Sequence, residues 1–309
     1  MNAAKLLGEL RADLDDGGLR GAFLVRDLDS GEELGIEPDL VFPAASLVKI
    51  PLAIAVLERI RLGELSGATD VLVQPERFAG PGPAGLTKFR HPARVSLDDL
   101  LYLSTCLSDN LAADTLFDRV PPAEVMTSLQ QLGVRGIAVR HSLRDLTQTP
   151  AEQFETADVH LAHSLAIEAG TAGRGHRIPQ LDVTRANSGS ARAFVDLLQA
   201  LWRPSSIPEN VAARTRELMG DNVLRQRLAP DFSSDLSRWS SKTGTLLNLR
   251  HEIGVVEHAD GQTFAVAALT ESRVAAIVQP GAEALMGHVA RTLRDHLRSY
   301  GSAEWTGLT

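Results

Sequence analysis

Apolar residues near the start of the chain recur at Leu6, Leu7, Leu10 and Leu14, the spacing of an amphipathic helix over residues 3–14. Gly17 and Gly18 end it. Ala22-Phe23-Leu24-Val25 then reads as a buried strand, and Asp29-Ser30-Gly31 as the turn into a second strand over residues 32–36. Residues 46–62 are apolar around nearly the whole helical circumference, which predicts a buried helix ending at Gly63. Residues 75–94, with Gly80-Pro81-Gly82-Pro83, read as an irregular loop. Ser96 is placed as an N-cap, with Asp98 and Asp99 in the first turn of a helix reaching Leu107. Further helices are expected over 110–119 and 123–132, split at Pro121-Pro122, then near 157–168, over 190–202 and over 210–219. The period then changes. Strands are expected over 238–243, 252–257 and 263–269, with a turn at His258–Gly261, before a closing helix over 282–300.

Strands at both ends with helices between them predict an α+β fold. Its expected form is one five-stranded antiparallel sheet built from both termini, with flanking helices and an inserted all-helical lobe. The lobes are expected to divide as 1–45 with 225–309, and 46–224.

Composition narrows the function classes. The net charge of −8 argues against nucleic acid or an anionic membrane surface as the main partner. Cys106 is the single cysteine, which rules out an internal disulfide and a cysteine-based metal site. The first ten residues lack the apolar core of a secretory leader, and no run reaches the length of a membrane span. As written, the chain reads as cytoplasmic, or as secreted if a leader has been trimmed.

Candidate chemistry gathers in three stretches. Ser46 and Lys49 lie three residues apart at the start of the apolar helix, a spacing that sets both side chains on one face. A helix start favours negative charge developing at the hydroxyl, and apolar surroundings lower an amine's pKa so that Lys49 can act as a base. Ser108-Asp109-Asn110 falls where two helices must turn. Lys242-Thr243-Gly244 falls on the first strand of the C-terminal group, where the glycine lets another group approach closely. Each stretch is common alone; the three in this order and structural context are not.

Taken together, Phe42-Pro43-Ala44-Ala45-Ser46-Leu47-Val48-Lys49, Ser108-Asp109-Asn110 and Ser241-Lys242-Thr243-Gly244-Thr245 resemble the serine penicillin-recognising enzymes, closest to class A β-lactamases. The resemblance covers nearly the whole chain. It implies Ser46 as the nucleophile that forms an acyl-enzyme and Lys49 as base, or as partner of Ser108 in a proton relay to the leaving group. It implies Asn110 as a holder of Lys49 and of a substrate amide. Lys242, Thr243 and Arg250 would make a cationic end for a substrate carboxylate. Gly244 would give close access to the strand, and the N–H groups of Ser46 and Thr245 would form the oxyanion hole. The implied substrate is a small molecule with a carboxylate and an amide or ester carbonyl; no cofactor or metal is implied.

The chain departs from the class A pattern at one step. Those enzymes carry a glutamate that positions the deacylating water, followed four residues later by asparagine. Counting forward from Asn110, Arg144 stands at the glutamate's place and Gln148 at the asparagine's. Asp145, Glu152 and Glu155 are the nearby acids that could substitute, against the simpler reading of a solvated loop. The expected function is thus a β-lactamase-related serine hydrolase acting through Ser46. Alternatives are an esterase or amidase, a D-Ala-D-Ala-type peptidase, or a penicillin-binding protein that acylates without turnover. His160, His163, Glu168 and His176 do not form a recognisable ligand set, so no metal site is expected there.

Overall fold

The computed structural model describes residues 2–75, 84–144, 161, 164–167, 175–176, 178–274 and 278–301. Helix α1 (Ala3–Asp16) is capped by the Asn2 side chain, which accepts from the Ala4 N–H at 2.9 Å, and it buries Leu6, Leu10 and Leu14. Strands β1 (Leu19–Asp27) and β2 (Glu33–Ile36) form the expected hairpin, followed by a short strand β3 (Val41–Pro43). The nucleophile candidate then sits in a 3₁₀ turn, Ala45–Val48, that leads into α2 (Lys49–Arg61). Every residue from Lys49 to Leu57 is buried, as an all-round apolar helix requires.

Strands β4 (Asp70–Val73) and β5 (Ala93–Ser96) pair as a small ladder. Helices α3 (Leu97–Cys106), α4 (Asn110–Phe117) and α5 (Pro122–Gln131) follow, then β6 (Ser188–Ser190), α6 (Ala191–Trp202), α7 (Glu209–Gly220) and a one-turn helix α8 (Ala229–Phe232). Ser96 caps α3 as read, accepting from the Asp99 N–H. Strands β7 (Ser237–Leu246), β8 (Leu249–His258) and β9 (Thr263–Ser272) lead to the closing helix α9 (Pro280–Gly301).

The main sheet is five-stranded and antiparallel, in the order β2-β1-β9-β8-β7, so both chain ends build it. Alternate residues of β9 serve two cores. Ala265, Ala267 and Leu269 face the core containing α2 and α6; Phe264, Val266 and Ala268 face the core containing α1, α8 and α9. With both faces covered, the inner strands lose the polar half of the alternation. Each C-terminal strand is ten residues long, longer than the apolar runs suggested. The extensions carry buried polar groups such as Arg250, His251 and Thr270, which hydropathy reads as loop.

Two short pairings were not read from the sequence. One is β4 with β5, which lies partly inside the stretch expected to be an irregular loop. The other is β3 with β6, where Phe42 stands opposite Gly189, and the Ala44 N–H donates to the Asn187 carbonyl at 2.7 Å. This second ladder anchors the chain immediately before Ser46. Most of the helix expected near 157–168 lies outside the described residues.

Candidate active site

Ser46 is half-buried in the 3₁₀ turn, and the Lys49 N–H donates to the Ser46 carbonyl, so the two residues lie one turn apart along the same side. The preceding Ala45 has φ +47°, a left-handed conformation that costs a non-glycine residue roughly 1 kcal/mol or more. Ser108 is the second such residue here, with φ +59°. Strain of this kind persists only where the surroundings over-determine it, and both positions flank the chemistry.

At Ser108 the strained backbone brings carbonyl and hydroxyl to the same amine. Lys49 Nζ donates to the Ser108 carbonyl at 2.6 Å, to Asn110 Oδ1 at 2.7 Å and to Ser108 Oγ at 3.1 Å. From the sheet, Lys242 Nζ donates to the same Ser108 Oγ at 3.0 Å and to the Thr243 carbonyl at 2.8 Å. A hydroxyl accepts two hydrogen bonds and donates one. With both lone pairs of Ser108 taken by amines, its proton is left to be given elsewhere.

Both lysines are completely buried. Burial lowers the Lys49 pKa to about 7, although the charges of Asp109 and Asp114 pull the other way. Lys242 is pushed well below its ordinary value, first by burial and next by the charge on Lys49. Two ammonium groups on one hydroxyl disfavour each other, so near neutral pH one of them can give up its proton. When neutral, Lys49 keeps two N–H groups for Ser108 and Asn110 and has a lone pair free to take a proton.

Asp109 holds the arrangement from below. One oxygen caps α4 by accepting from the Leu111 and Ala112 N–H groups; the other accepts from the Leu86 N–H at 2.5 Å. Gly85 has φ +75°, and a Cβ there would lie 2.3 Å from the Asp109 carboxylate, so only glycine fits.

Gly244 explains how strand and turn meet. A Cβ at Gly244 would stand 3.0 Å from the Ala44 carbonyl oxygen and 3.1 Å from Leu47 Cγ. The group that approaches the strand is thus the nucleophile turn itself. His251, opposite Gly244 on β8, fastens the same turn: its Nε2 donates to the Pro43 carbonyl at 2.9 Å, and its Nδ1 accepts from the Thr270 N–H at 3.1 Å. Burial lowers its pKa to about 3, so the ring is neutral and this tautomer is fixed by its two partners.

Comparison with known proteins agrees with the geometry. The profile of the family described as "Beta-lactamase enzyme family" matches residues 8–297. The chain belongs to the beta-lactamase enzyme family. It is 64% identical over 311 residues to Beta-lactamase regulatory protein BlaB of Streptomyces cacaoi, covering 97% of this chain and all of that one. Among solved structures it resembles PBP-A (TM-score 0.74, 18% identity, 96% of each chain covered). It also resembles a beta-lactamase from Sphaerobacter thermophilus DSM 20745 (TM-score 0.74, 21% identity, 97% of this chain and 98% of that one). The protein is a beta-lactamase-family, serine hydrolase-like protein with the expected α+β fold and five-stranded antiparallel sheet.

The remaining residues picked from the sequence are placed as follows. Thr243 is buried beside Lys242, and Thr245 is exposed on the edge strand β7. Arg250 lies opposite Thr245 and turns its guanidinium toward the β7–β8 turn, donating to the Leu247 and Leu249 carbonyls at 2.5 and 2.8 Å. Arg144, which ungapped counting set at the family glutamate's place, pairs with Asp118 at 3.1 Å and with the buried Asp114 at 3.5 Å. Burial raises the Asp114 pKa to about 6, while its Oδ1 accepts from the Leu143 N–H at 2.6 Å. Asp145, Glu152 and Glu155 lie outside the described residues, as do His160, His163 and Glu168. His176 is buried and accepts from the Ile178 N–H at 2.9 Å. No helix among the described residues is long and apolar enough to cross a membrane.

Sequence reading missed two buried side chains beside the site, His251 and Arg227. Arg227 reaches the Gly244 and His251 carbonyls at 3.0 and 2.7 Å and Thr245 Oγ1 at 2.7 Å. Neither belongs to a short motif. The available signal was a histidine and an arginine inside segments that must be buried, a combination that calls for partners.

Proposed function

We propose that this protein is acylated at Ser46 by β-lactams, or by a similar acyl donor carrying a carboxylate, and that it releases the acyl group slowly. The observation that carries the reading is the shared bonding of Ser108 Oγ by two buried lysines from opposite sides of the site. Ser46 Oγ attacks the carbonyl carbon as Lys49, neutral near pH 7, takes its proton. The carbonyl oxygen becomes an oxyanion facing the Ser46 and Thr245 N–H groups. Collapse of this intermediate breaks the bond to the leaving nitrogen or oxygen, which takes the Ser108 proton. Ser108 is restored by proton return from Lys49. Lys242 supplies positive charge and Thr243 a hydroxyl toward the substrate carboxylate, and Asn110 holds both Lys49 and the substrate amide. The cleft in this reading lies between a helical lobe, 46–224, and an α/β lobe formed by 1–45 with 225–309.

Slow release follows from the cation at the place where class A enzymes hold a water-activating carboxylate. A guanidinium cannot act as a base for water. The 64%-identical relative is named a regulatory protein, which suits a domain whose purpose is to hold an acyl group and report it.

Intact mass followed over time after mixing with benzylpenicillin tests this reading. The expected result is a long-lived adduct of one penicillin per chain, absent from Ser46→Ala. Rapid adduct loss with multiple turnovers would replace the slow-release reading by ordinary β-lactamase action. No adduct, together with ester hydrolysis that Ser46→Ala abolishes, would make the protein an esterase.

A further inference from the structure

The Ser46 chemistry leaves one large charged group beside the site without a role. Arg227 precedes α8 and is 2% exposed. Four of its five N–H donors are used: Nη1 donates to the Gly244 and His251 carbonyls, Nη2 to Thr245 Oγ1, and Nε to Glu283 in the first turn of α9 at 3.0 Å. Three of these four bonds end on the strand pair that lines the site, at the register position where Gly244 stands opposite His251.

We propose that Arg227 is the positioning residue of the oxyanion hole: by holding the carbonyl of the Gly244–Thr245 peptide, it aims and strengthens that peptide's N–H. The inference rests on the acylation reading, in which the Thr245 N–H is an oxyanion donor.

A peptide unit is planar, and no cis bond occurs among the described residues, so its C=O and N–H point in opposite directions. Fixing the oxygen of the Gly244–Thr245 unit therefore fixes the direction of the Thr245 N–H. This unit needs such a tether. Gly244 has no side chain to restrain its plane, β7 is an edge strand, and the ladder to β8 ends one residue on, at Leu246 opposite Leu249. The bond that Arg227 Nη2 donates to Thr245 Oγ1 restrains the residue through its side chain and does not involve its backbone N–H.

The tether is also electronic. A cationic donor on the carbonyl oxygen draws electron density along the amide and makes its N–H a better donor, as in any chain of polarised hydrogen bonds. Because the guanidinium is buried, water does not screen this effect. Glu283 balances the charge while lying on the far side of the guanidinium edge, at Nε rather than at the nitrogens that face the strands.

The test uses Arg227→Lys, which keeps the positive charge and loses the planar fork. Two quantities are read with benzylpenicillin: the acylation rate constant separated from the initial binding constant, and the infrared stretching frequency of the acyl-enzyme ester carbonyl. The latter rises when hydrogen bonds to that oxygen weaken. The expected result is acylation slowed about 10-fold, part of the ~10²–10³ that a whole oxyanion donor contributes, with binding unchanged and the carbonyl band moved to higher frequency. Wild-type acylation and an unmoved band in Arg227→Lys would overturn the proposal. Slower acylation with an unmoved band would also overturn it, since that is the mark of a structural role alone. If Arg227→Lys does not fold, Glu283→Gln is read in the same two ways; by removing the charge that offsets Arg227 it should move both quantities by less and in the opposite direction, to faster acylation and a lower carbonyl frequency, and an unchanged pair overturns the proposal. Failure of the wild type to form any adduct at Ser46 strikes the acylation reading instead, which keeps the two failures distinct.

Discussion

Two corners of the site use buried charge in opposite ways. At the acylation corner two lysines are forced together on one hydroxyl, and burial with mutual repulsion drives protons off them. At the other corner burial raises the pKa of Asp114 to about 6, and the half-exposed guanidinium of Arg144 nearby pulls it back toward the charged form. In the proposed reading the first arrangement makes a base near pH 7. The second pairs a buried charge with a nearby cation and offers no base from Arg144. In the proposed reading, adding and removing the acyl group each need a proton acceptor; among the described residues the lysine pair can serve the first, while Asp145, Glu152 and Glu155 lie outside them. The difference teaches that, on this reading, the two steps rest on separate groups of residues, so one can be altered while the other is kept.

The largest effect should come from removing the base. We predict that Lys49→Met lowers the acylation rate constant by roughly 10²–10⁴, the usual contribution of a positioned general base. In the wild type the acylation rate should rise as pH increases through about 7, as Lys49 loses its proton. The sign for stability is the same. The unfolded chain binds the lysine proton up to its ordinary value of 10.5 and the folded chain only to about 7. Between those values the unfolded state holds more protons, and stability contributed by this group increases with pH. Urea unfolding of the wild type against Lys49→Met at pH 7 and pH 10 measures it. A pH-independent acylation rate between 6 and 9 would remove Lys49 as the base.

A smaller effect should follow from disturbing the contact between strand and nucleophile turn. Gly244→Ala places a methyl group 3.0 Å from the Ala44 carbonyl oxygen and 3.1 Å from Leu47 Cγ, so the turn must shift. We expect a loss of about 1–3 kcal/mol in stability, typical of overpacking, with slowed adduct formation by mass spectrometry. Unchanged kinetics would show that the turn's position is set elsewhere.

The smallest effect should come from the second corner. Arg144→Ala should leave the acylation rate within about twofold of wild type while costing around 1 kcal/mol, because the cation is 45% exposed and its pairing with Asp114 is solvent-screened. Thermal unfolding and adduct kinetics on the same sample check both halves. A large fall in acylation would show that the two corners are coupled after all.

Much of this was legible in the chain itself, for a physical reason. Ser46 and Lys49, Ser108 and Asn110, and Lys242 with Gly244 are each set by spacing on one local element, and local spacing survives folding. Helices between the two groups of strands were legible too: α2 by its apolar run, and α3 and α6 by apolar patterns capped at Ser96 and Ser190. The strand ends were not. Pattern reading stopped β7 at Thr243 and started β8 only at Glu252, leaving out Arg250 and His251, polar residues that the fold buries and satisfies.

By itself the sequence determined the fold class, the five-stranded sheet from both termini, and which residues could carry the chemistry. Only the tertiary structure decided how those residues meet. It put two lysines from segments almost two hundred residues apart on one hydroxyl, turned Ser108 into a left-handed conformation, and brought Arg227 and His251 beneath the nucleophile turn. Such meetings depend on which buried polar groups find one another across the sheet, and no spacing along a single element encodes that.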